Sequence, residues 1–309
     1  MPGEIRIGTS GWNYPSGNGT WNGVFYPARR PRGFDELRYY AERFDTVEVN
    51  STFYRIPEPG AVRRWVERTP SGFLFSVKLY QKFTHPEMYA KRPGVTEWNL
   101  SSGDFDQFRL GVDPLAAAGR LAAILVQFPE SFHADAGSRD YLDWLLEALR
   151  DYPMSVELRH HSWDEQGART GHQLAARGVS WAVIDQPRNA REGGAASTRV
   201  REDAEVPLYL RLHGRNAAAW WHHQTAEERY NYLYSRAELA PFAREARQAS
   251  KAGRRVLMYL NNHFSAKAVA NAAILKHELD QPLPGEYPAE MVSRYPELSG
   301  VVTTSGLPW

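Results

Sequence analysis

The sequence predicts an α/β protein folded as a single TIM-type (β/α)8 barrel. Eight short β-rich runs alternate with segments of helical period, and together they span about 275 residues, near the usual ~250 of that fold. No Gly-x-Gly-x-x-Gly fingerprint follows the first run, which weakens the doubly wound alternative.

Ile5–Trp12 reads as the first strand, and Gly33–Phe44 as a helix with Phe34, Leu37, Tyr40, Ala41 and Phe44 on one face. Thr46–Tyr54 is the second strand. Pro59–Thr69 is a helix with proline near its start, where a missing N–H removes no hydrogen bond. Phe73–Tyr80 is the third strand, followed by a turn-rich connection over 81–103 and a helix near Phe105–Gly119. Leu121–Phe128 is the fourth strand, stopped by Pro129, and Ser138 is placed to cap a helix over Tyr141–Leu149. Met154–His160, Val179–Asp185, Leu208–Gly214 and Arg255–Asn262 are strands five to eight. Helices are expected over Gly171–Arg177, Glu238–Ala252 and Ala266–Leu279, whereas the mixed-charge connection Gln186–Pro207 reads as a reduced sixth helix. The barrel core covers residues 5–280, and 281–309 is an irregular, proline-rich tail of the same single domain.

Composition excludes whole classes of chemistry. The chain has 309 residues and 42% apolar content, enough for a proper core, and no cysteine. Disulfides, thiolate metal centres and a cysteine nucleophile are therefore out. Net charge is +1, from 37 basic against 36 acidic residues, which argues against a polybasic nucleic-acid arm or an acidic tail while leaving room for a local basic site. The longest apolar run, Leu121–Val126, is far too short to span a bilayer, and no leader pattern is read at the start. The expectation is a soluble, cytoplasmic protein without a membrane partner. Aromatics reach 13%, which means either core or a stacking surface.

Strand parity locates the polar residues. Val47/Val49, Phe75/Val77/Leu79, Val156/Leu158 and Leu208/Leu210/Leu212 form the helix-facing set. The opposite parity then sends Glu48, Asn50, Lys78, Gln127, Glu157, Arg159, Asp185, Arg211, His213 and Asn261 toward the barrel mouth, where TIM-type sites lie. A layer of mutual ion pairs is the structural alternative; a ring this charged points instead to a ligand site.

These residues also carry a resemblance. Ile7-Gly8-Thr9-Ser10-Gly11-Trp12, Phe25-Tyr26-Pro27, Glu48-Val49-Asn50-Ser51-Thr52-Phe53-Tyr54-Arg55 and Phe75-Ser76-Val77-Lys78 with Thr84-His85 resemble the YecE-like family, domain-of-unknown-function family 72. So do Gln127-Phe128-Pro129, Val156-Glu157-Leu158-Arg159-His160 with Ser162-Trp163, Arg211-Leu212-His213-Gly214-Arg215, Tyr259-Leu260-Asn261-Asn262 and Asn271-Ala272. The resemblance implies a TIM-type barrel and no established reaction. Two departures stand out: His263-Phe264-Ser265 replaces an expected aspartate and glycine-bearing turn, and the loop 13–22 is longer and richer in glycine.

The ring supports several chemistries. The preferred reading is an enzyme acting on a small phosphorylated or anionic substrate, with nucleotide or nucleic acid within that class. Lys78, Arg159 and Arg211, with Arg215 and His85 nearby, would hold the anion; Glu48 and Glu157 would move protons with His213 as partner. Asn50, Gln127, Asn261 and Trp12 would contact substrate, and Trp21, Tyr54, Phe128, Trp163, Trp220 and Trp221 would rim the mouth. No cofactor is expected; a divalent metal at Glu48, Glu157, Asp185, His213 and His263 is the lesser alternative, because three cations share the ring. A glycosidase using Glu48 and Glu157, a Schiff-base role for Lys78, and a non-catalytic nucleotide-binding or nucleic-acid-binding module complete the alternatives. Oligomeric state is open.

Overall fold

The computed structural model describes residues 1–95, 97–187, 206–221 and 225–305, without the side chains of Trp221 and Ala226. In chain order the elements are β1 (Ile5–Ser10), α1 (Glu36–Ala41), β2 (Thr46–Val49), α2 (Ser51–Tyr54), α3 (Pro59–Glu67), β3 (Leu74–Lys78), α4 (Gln81–Thr84), α5 (Pro86–Ala90) and α6 (Ser102–Ala117). Then come β4 (Leu121–Gln127), α7 (Ala136–Ala148), β5 (Met154–Glu157), α8 (Ser162–Glu165), α9 (Gly167–Ala175), β6 (Ser180–Trp181) and β7 (Val183–Asp185). The chain continues with β8 (Leu208–Leu212), α10 (Ala217–Trp221), α11 (Arg236–Lys251), β9 (Val256–Leu260), α12 (Lys267–Glu278) and α13 (Ala289–Arg294). The class is the expected TIM-type β/α barrel, with parallel strands alternating with helices. The chain divides into two compact units, one of residues 1–48 with the described parts of 183–200 and 210–309, the other of 49–182 with the described part of 201–209.

In the first unit the strands follow the order β2-β1-β9-β8-β7. Ile5 to Thr9 lie in parallel register with Val256 to Leu260, and Ser10 lies opposite Glu48. Gly8 is required here: a Cβ would stand 2.1 Å from the Thr46 carbonyl oxygen. Tyr40 of α1 locks the strands from the helix side, donating to Thr46 O and accepting from the Thr9 amide. Burial pushes its phenol well up, so it stays protonated. α11 starts at a capping box in which the Ser235 and Glu238 side chains and backbone amides exchange hydrogen bonds.

In the second unit the order is β6-β5-β4-β3, again parallel. Apolar burial anchors both strand and helix: Val77, Ile124, Leu125, Val126, Val156, Leu142 and Leu145 are fully buried. Pro114 sits inside α6.

Several expected boundaries differ. Strand two ends at Val49, because Asn50 adopts helical dihedrals and opens α2; Asn50 and Thr52 are therefore not on a strand face. Thr52 instead donates toward Val49 O and Lys78 O. The 81–103 connection contains α4 and α5. α7 is capped by Asp135, whose carboxylate accepts from the Ser138 amide, so Ser138 lies inside the helix. Strand six comes in two pieces around Ala182, which makes nine strands, not eight, among the described residues. The tail is not wholly irregular: it forms α13, and Tyr287 bridges Thr304. The connection expected to hold a reduced sixth helix lies outside the described residues except at its ends, 186–187 and 206–207.

Much of the aromatic content is core. Trp21, Phe128 and Trp163, expected at the rim, are buried at 0%, 1% and 0% exposure. Their packing explains it: the Trp163 indole donates to Phe132 O, and Phe128 stacks on Phe132 at 3.9 Å. Tyr54, by contrast, is exposed. Among the described residues no helix is long and apolar enough to cross a membrane.

Candidate functional site

The first unit builds a buried ladder of polar groups from four strands. Arg211 of β8 grips Glu48 of β2 through two parallel contacts, Nε to Oε2 at 2.9 Å and Nη2 to Oε1 at 2.7 Å. Both side chains are essentially without solvent, at 1% and 0% exposure. Ser10 of β1 donates a further 2.7 Å bond to Glu48 Oε1, as the strand register dictates. On its other side Arg211 Nη1 lies 3.2 Å from His213 Nε2, and the Asn261 amide lies 2.8 Å from His213 Nδ1. A guanidinium only donates, so His213 accepts through Nε2 in the contact with Arg211. Both ring nitrogens of His213 are thus engaged, Nε2 beside Arg211 Nη1 and Nδ1 beside the side-chain amide of Asn261. Glu48 is likewise occupied at both oxygens, which leaves it poorly placed as a nucleophile or base.

Asp185, at the end of β7, has a separate set of partners. Arg215 approaches it with Nε at 2.9 Å, and the Tyr234 hydroxyl donates at 2.6 Å while accepting from the Gly214 amide. The hydrogen bond to Asp185 leads the effects that raise the Arg215 pKa. Gly214 needs its φ of +96° to present that amide.

Both departures from the family pattern meet in this unit. Tyr14 stacks on His263 at 4.2 Å, Trp21 Nε1 donates to His263 O at 2.7 Å, and the Ser265 amide donates to Gly19 O at 2.9 Å. Ser265 and Ala266 take φ of +51° and +62°, the left-handed conformation in which glycine would be unstrained. The glycine-rich loop thus clasps a turn that lacks glycine. Burial lowers the His263 pKa to about 3.

The second unit carries the other expected residues. Lys78 ends β3 with its Nζ 4.0 Å from the centre of the Phe53 ring. Glu157 ends β5, in register with Gln127 of β4, and is fully buried. Arg159, two residues on, donates its Nε to Glu157 Oε1 at 2.7 Å and keeps 24% of its side chain exposed. His85, at the α4–α5 junction, packs edge-on against Phe53 at 4.8 Å. Burial first, then the charges of Lys78 and Arg159, drive its pKa down to about 3 against the pull of Glu157. These four ionisable groups therefore share one electrostatic neighbourhood. Asn50 caps α2 without a side-chain bond, and its buried Oδ1 has no partner. Trp12 follows Gly11, whose φ of +95° redirects the chain after β1, and is half-buried.

Sequence parity brought out most of these positions but missed two. Ser10 is legible only through its register with Glu48, and Tyr234 lies in irregular chain before α11, where no periodicity marks it. Among the described residues no three His, Asp or Glu side chains are grouped so as to hold a metal ion.

Comparison with known proteins gives the family. The model for the protein family of unknown function DUF72 matches residues 6–291. UPF0759 protein YunF of Bacillus subtilis is 27% identical over 293 residues, covering 93% of this chain and 99% of its own length. UPF0759 protein YecE of Escherichia coli K12 is 27% identical over 223 residues, 69% of this chain and 71% of its own. Among solved structures, a DUF72 family protein of Thermotoga maritima superposes with a TM-score of 0.71 at 30% identity, over 90% of this chain and 100% of that one. A DUF72 family protein of Enterococcus faecalis reaches 0.74 at 23% identity, over 91% and 98%, and supports the fold. With a family model covering nearly its whole length, this chain belongs to the YecE-like DUF72 family.

Proposed function

We propose that the protein is an enzyme acting on a phosphorylated or otherwise anionic small substrate, which it binds at Lys78 and Arg159. The observation that carries this reading is the charge around His85: two cations, Lys78 and Arg159, and a neutral imidazole gather at the ends of β3 and β5 with the carboxylate of Glu157. Glu157 occupies only one edge of the Arg159 guanidinium. The Nη edge, on a side chain with 24% exposure, is the fork that suits a phosphate or carboxylate. Buried Glu157 is the candidate to move a proton, and His85 serves as a neutral hydrogen-bonding group. The bidentate grip of Arg211 on Glu48 favours this set over a ring in which all three cations share the anion.

Calorimetric titration with phosphate, sulfate, sugar phosphates, nucleotides and neutral sugars tests the reading. Anions bind to the wild type, and Arg159→Ala weakens them by about tenfold or more, the ~1.5–3 kcal/mol typical of a charged hydrogen bond. Turnover of a bound phosphoester then falls in Glu157→Gln. Binding of neutral sugars without anions overturns the reading in favour of a glycosidase-like site.

A further inference from the structure

The second unit holds one more cation close to the Lys78–Arg159 pair. Arg92 follows α5; its Nη1 donates to the Tyr80 hydroxyl at 2.5 Å, and its guanidinium carbon lies 5.8 Å and 5.5 Å from the centres of the Tyr80 and Tyr89 rings. The two rings meet edge to face at 5.9 Å. A ring face attracts a guanidinium without neutralising it. The carboxylates of this region are engaged elsewhere or exposed. Asp104 pairs with Lys82 at 2.6 Å and Glu157 with Arg159 at 2.7 Å, while Glu87 and Glu97 are exposed and form no ion pair with Arg92. Among the described residues, Nε and Nη2 of half-buried Arg92 meet no protein partner. Contacts tie Arg92 to the anion site from two directions. Along β3, Leu79 is buried and its amide donates to Leu125 O, which leaves Lys78 and Tyr80 half-buried on the opposite parity, about 7 Å apart along the chain. Through α5, the Arg92 amide donates to Tyr89 O at 3.0 Å and the Tyr89 amide to His85 O at 2.9 Å. His85 and Lys78 both rest on the Phe53 ring, at 4.8 Å and 4.0 Å.

We propose that Arg92 is a second anion subsite, so that the substrate carries two phosphoryl or carboxylate groups, one held at Lys78 and Arg159 and the other at Arg92. The proposal rests on the anion reading above and narrows its substrate class. The bond to Tyr80 fixes Nη1 of the guanidinium, and the Nε–Nη2 edge is the planar fork that takes an oxyanion through two parallel hydrogen bonds. The two tyrosine rings hold that fork in place, so little side-chain freedom is left to lose when the anion arrives. Tyr80 stands between the cations, two residues past Lys78 and bonded to Arg92, and a spacing of one side chain suits two groups on one small molecule.

Calorimetric titration of matched pairs tests it. Fructose 6-phosphate is compared with fructose 1,6-bisphosphate, and adenosine monophosphate with the diphosphate, so the two arms separate a sugar from a nucleotide source. In the wild type at least one doubly charged member binds about tenfold or more tightly than its singly phosphorylated counterpart. Arg92→Gln abolishes that advantage and leaves binding of the singly phosphorylated member unchanged. Lys91→Gln removes an exposed positive charge from the neighbouring residue and keeps the advantage, which separates a built contact from general attraction. Should Arg92→Gln fail to fold, Arg92→Lys, which keeps the charge and loses the fork, also loses most of the advantage. Failure of every one of these compounds to bind overturns the anion site itself. Equal affinity within both pairs in the wild type, an advantage that persists in the Arg92 variants, or one that Lys91→Gln removes as fully, overturns the Arg92 subsite and leaves the anion site standing.

Discussion

The Glu48–Arg211 pair offers the sharpest test of the buried ladder. Glu48→Gln leaves a guanidinium at 1% exposure facing a neutral amide, with His213 Nε2 3.2 Å from its Nη1. Removing one partner of such a buried pair costs about 3–5 kcal/mol, because the survivor keeps its desolvation penalty without the compensating charge. An unfolding entropy of ~2.1 cal/mol/K per residue amounts to about 0.65 kcal/mol/K for the whole chain, so the melting temperature falls by roughly 5–8 °C. Arg211→Met, which takes the countercharge from the buried carboxylate, loses a similar amount. The double variant removes both charges, so its loss falls well below the sum of the two single losses, with a coupling of about 2–4 kcal/mol. Circular dichroism melts of the four proteins, backed by urea unfolding at neutral pH, give the cycle. If either single variant lies within about 1 kcal/mol of wild type, or the losses simply add, the charges are not held together out of water and the ladder is wrong.

Two further outcomes follow from the first unit. Gly8→Ala sets a methyl 2.1 Å from the Thr46 carbonyl oxygen, a backbone atom held between β1 and β2 that cannot yield, and the cost exceeds the usual ~1–3 kcal/mol of overpacking; soluble yield and melting temperature near wild type would contradict the strand register. His263 has a folded pKa of about 3 against an ordinary 6.5, so its contribution to stability is complete above pH 6.5 and is lost as pH falls from 6.5 toward 3. Replacing it with phenylalanine, which keeps a ring against Tyr14, flattens the acid limb of a urea stability profile by up to about 1.4 kcal/mol per pH unit in that window; an unchanged slope would show that His263 is not the buried neutral group described.

The fold was legible because it depends on patterns short enough to read along the chain. Alternation in Thr46–Val49, Leu208–Leu212 and Val256–Leu260 placed Glu48, Arg211 and Asn261 on the polar parity. Strand ends were less legible. Asn50 sits one residue past the last alternating position, and whether it extends β2 or opens α2 is decided by a turn whose Thr52 hydroxyl needs the Lys78 carbonyl, a partner 26 residues away. Ser138 and Asp135 compete for one cap in the same way. Both can accept a backbone hydrogen bond, and only the helix start at Ala136 selects Asp135.

The site divides along the same line. Sequence by itself determined the parallel β/α plan, the absence of thiol chemistry, and the set of charged side chains turned away from the helices, because composition and period-two alternation are local properties of the chain. Pairing within that set belongs to the tertiary structure. Arg211 could have answered an incoming anion as well as Arg159 could, since the two are the same residue type on the same parity. Burial separates them: the strand register brings Glu48, itself held by Ser10, to Arg211 at 1% exposure, whereas Arg159 lies just beyond β5, held through Nε by Glu157 and with 24% of its side chain exposed.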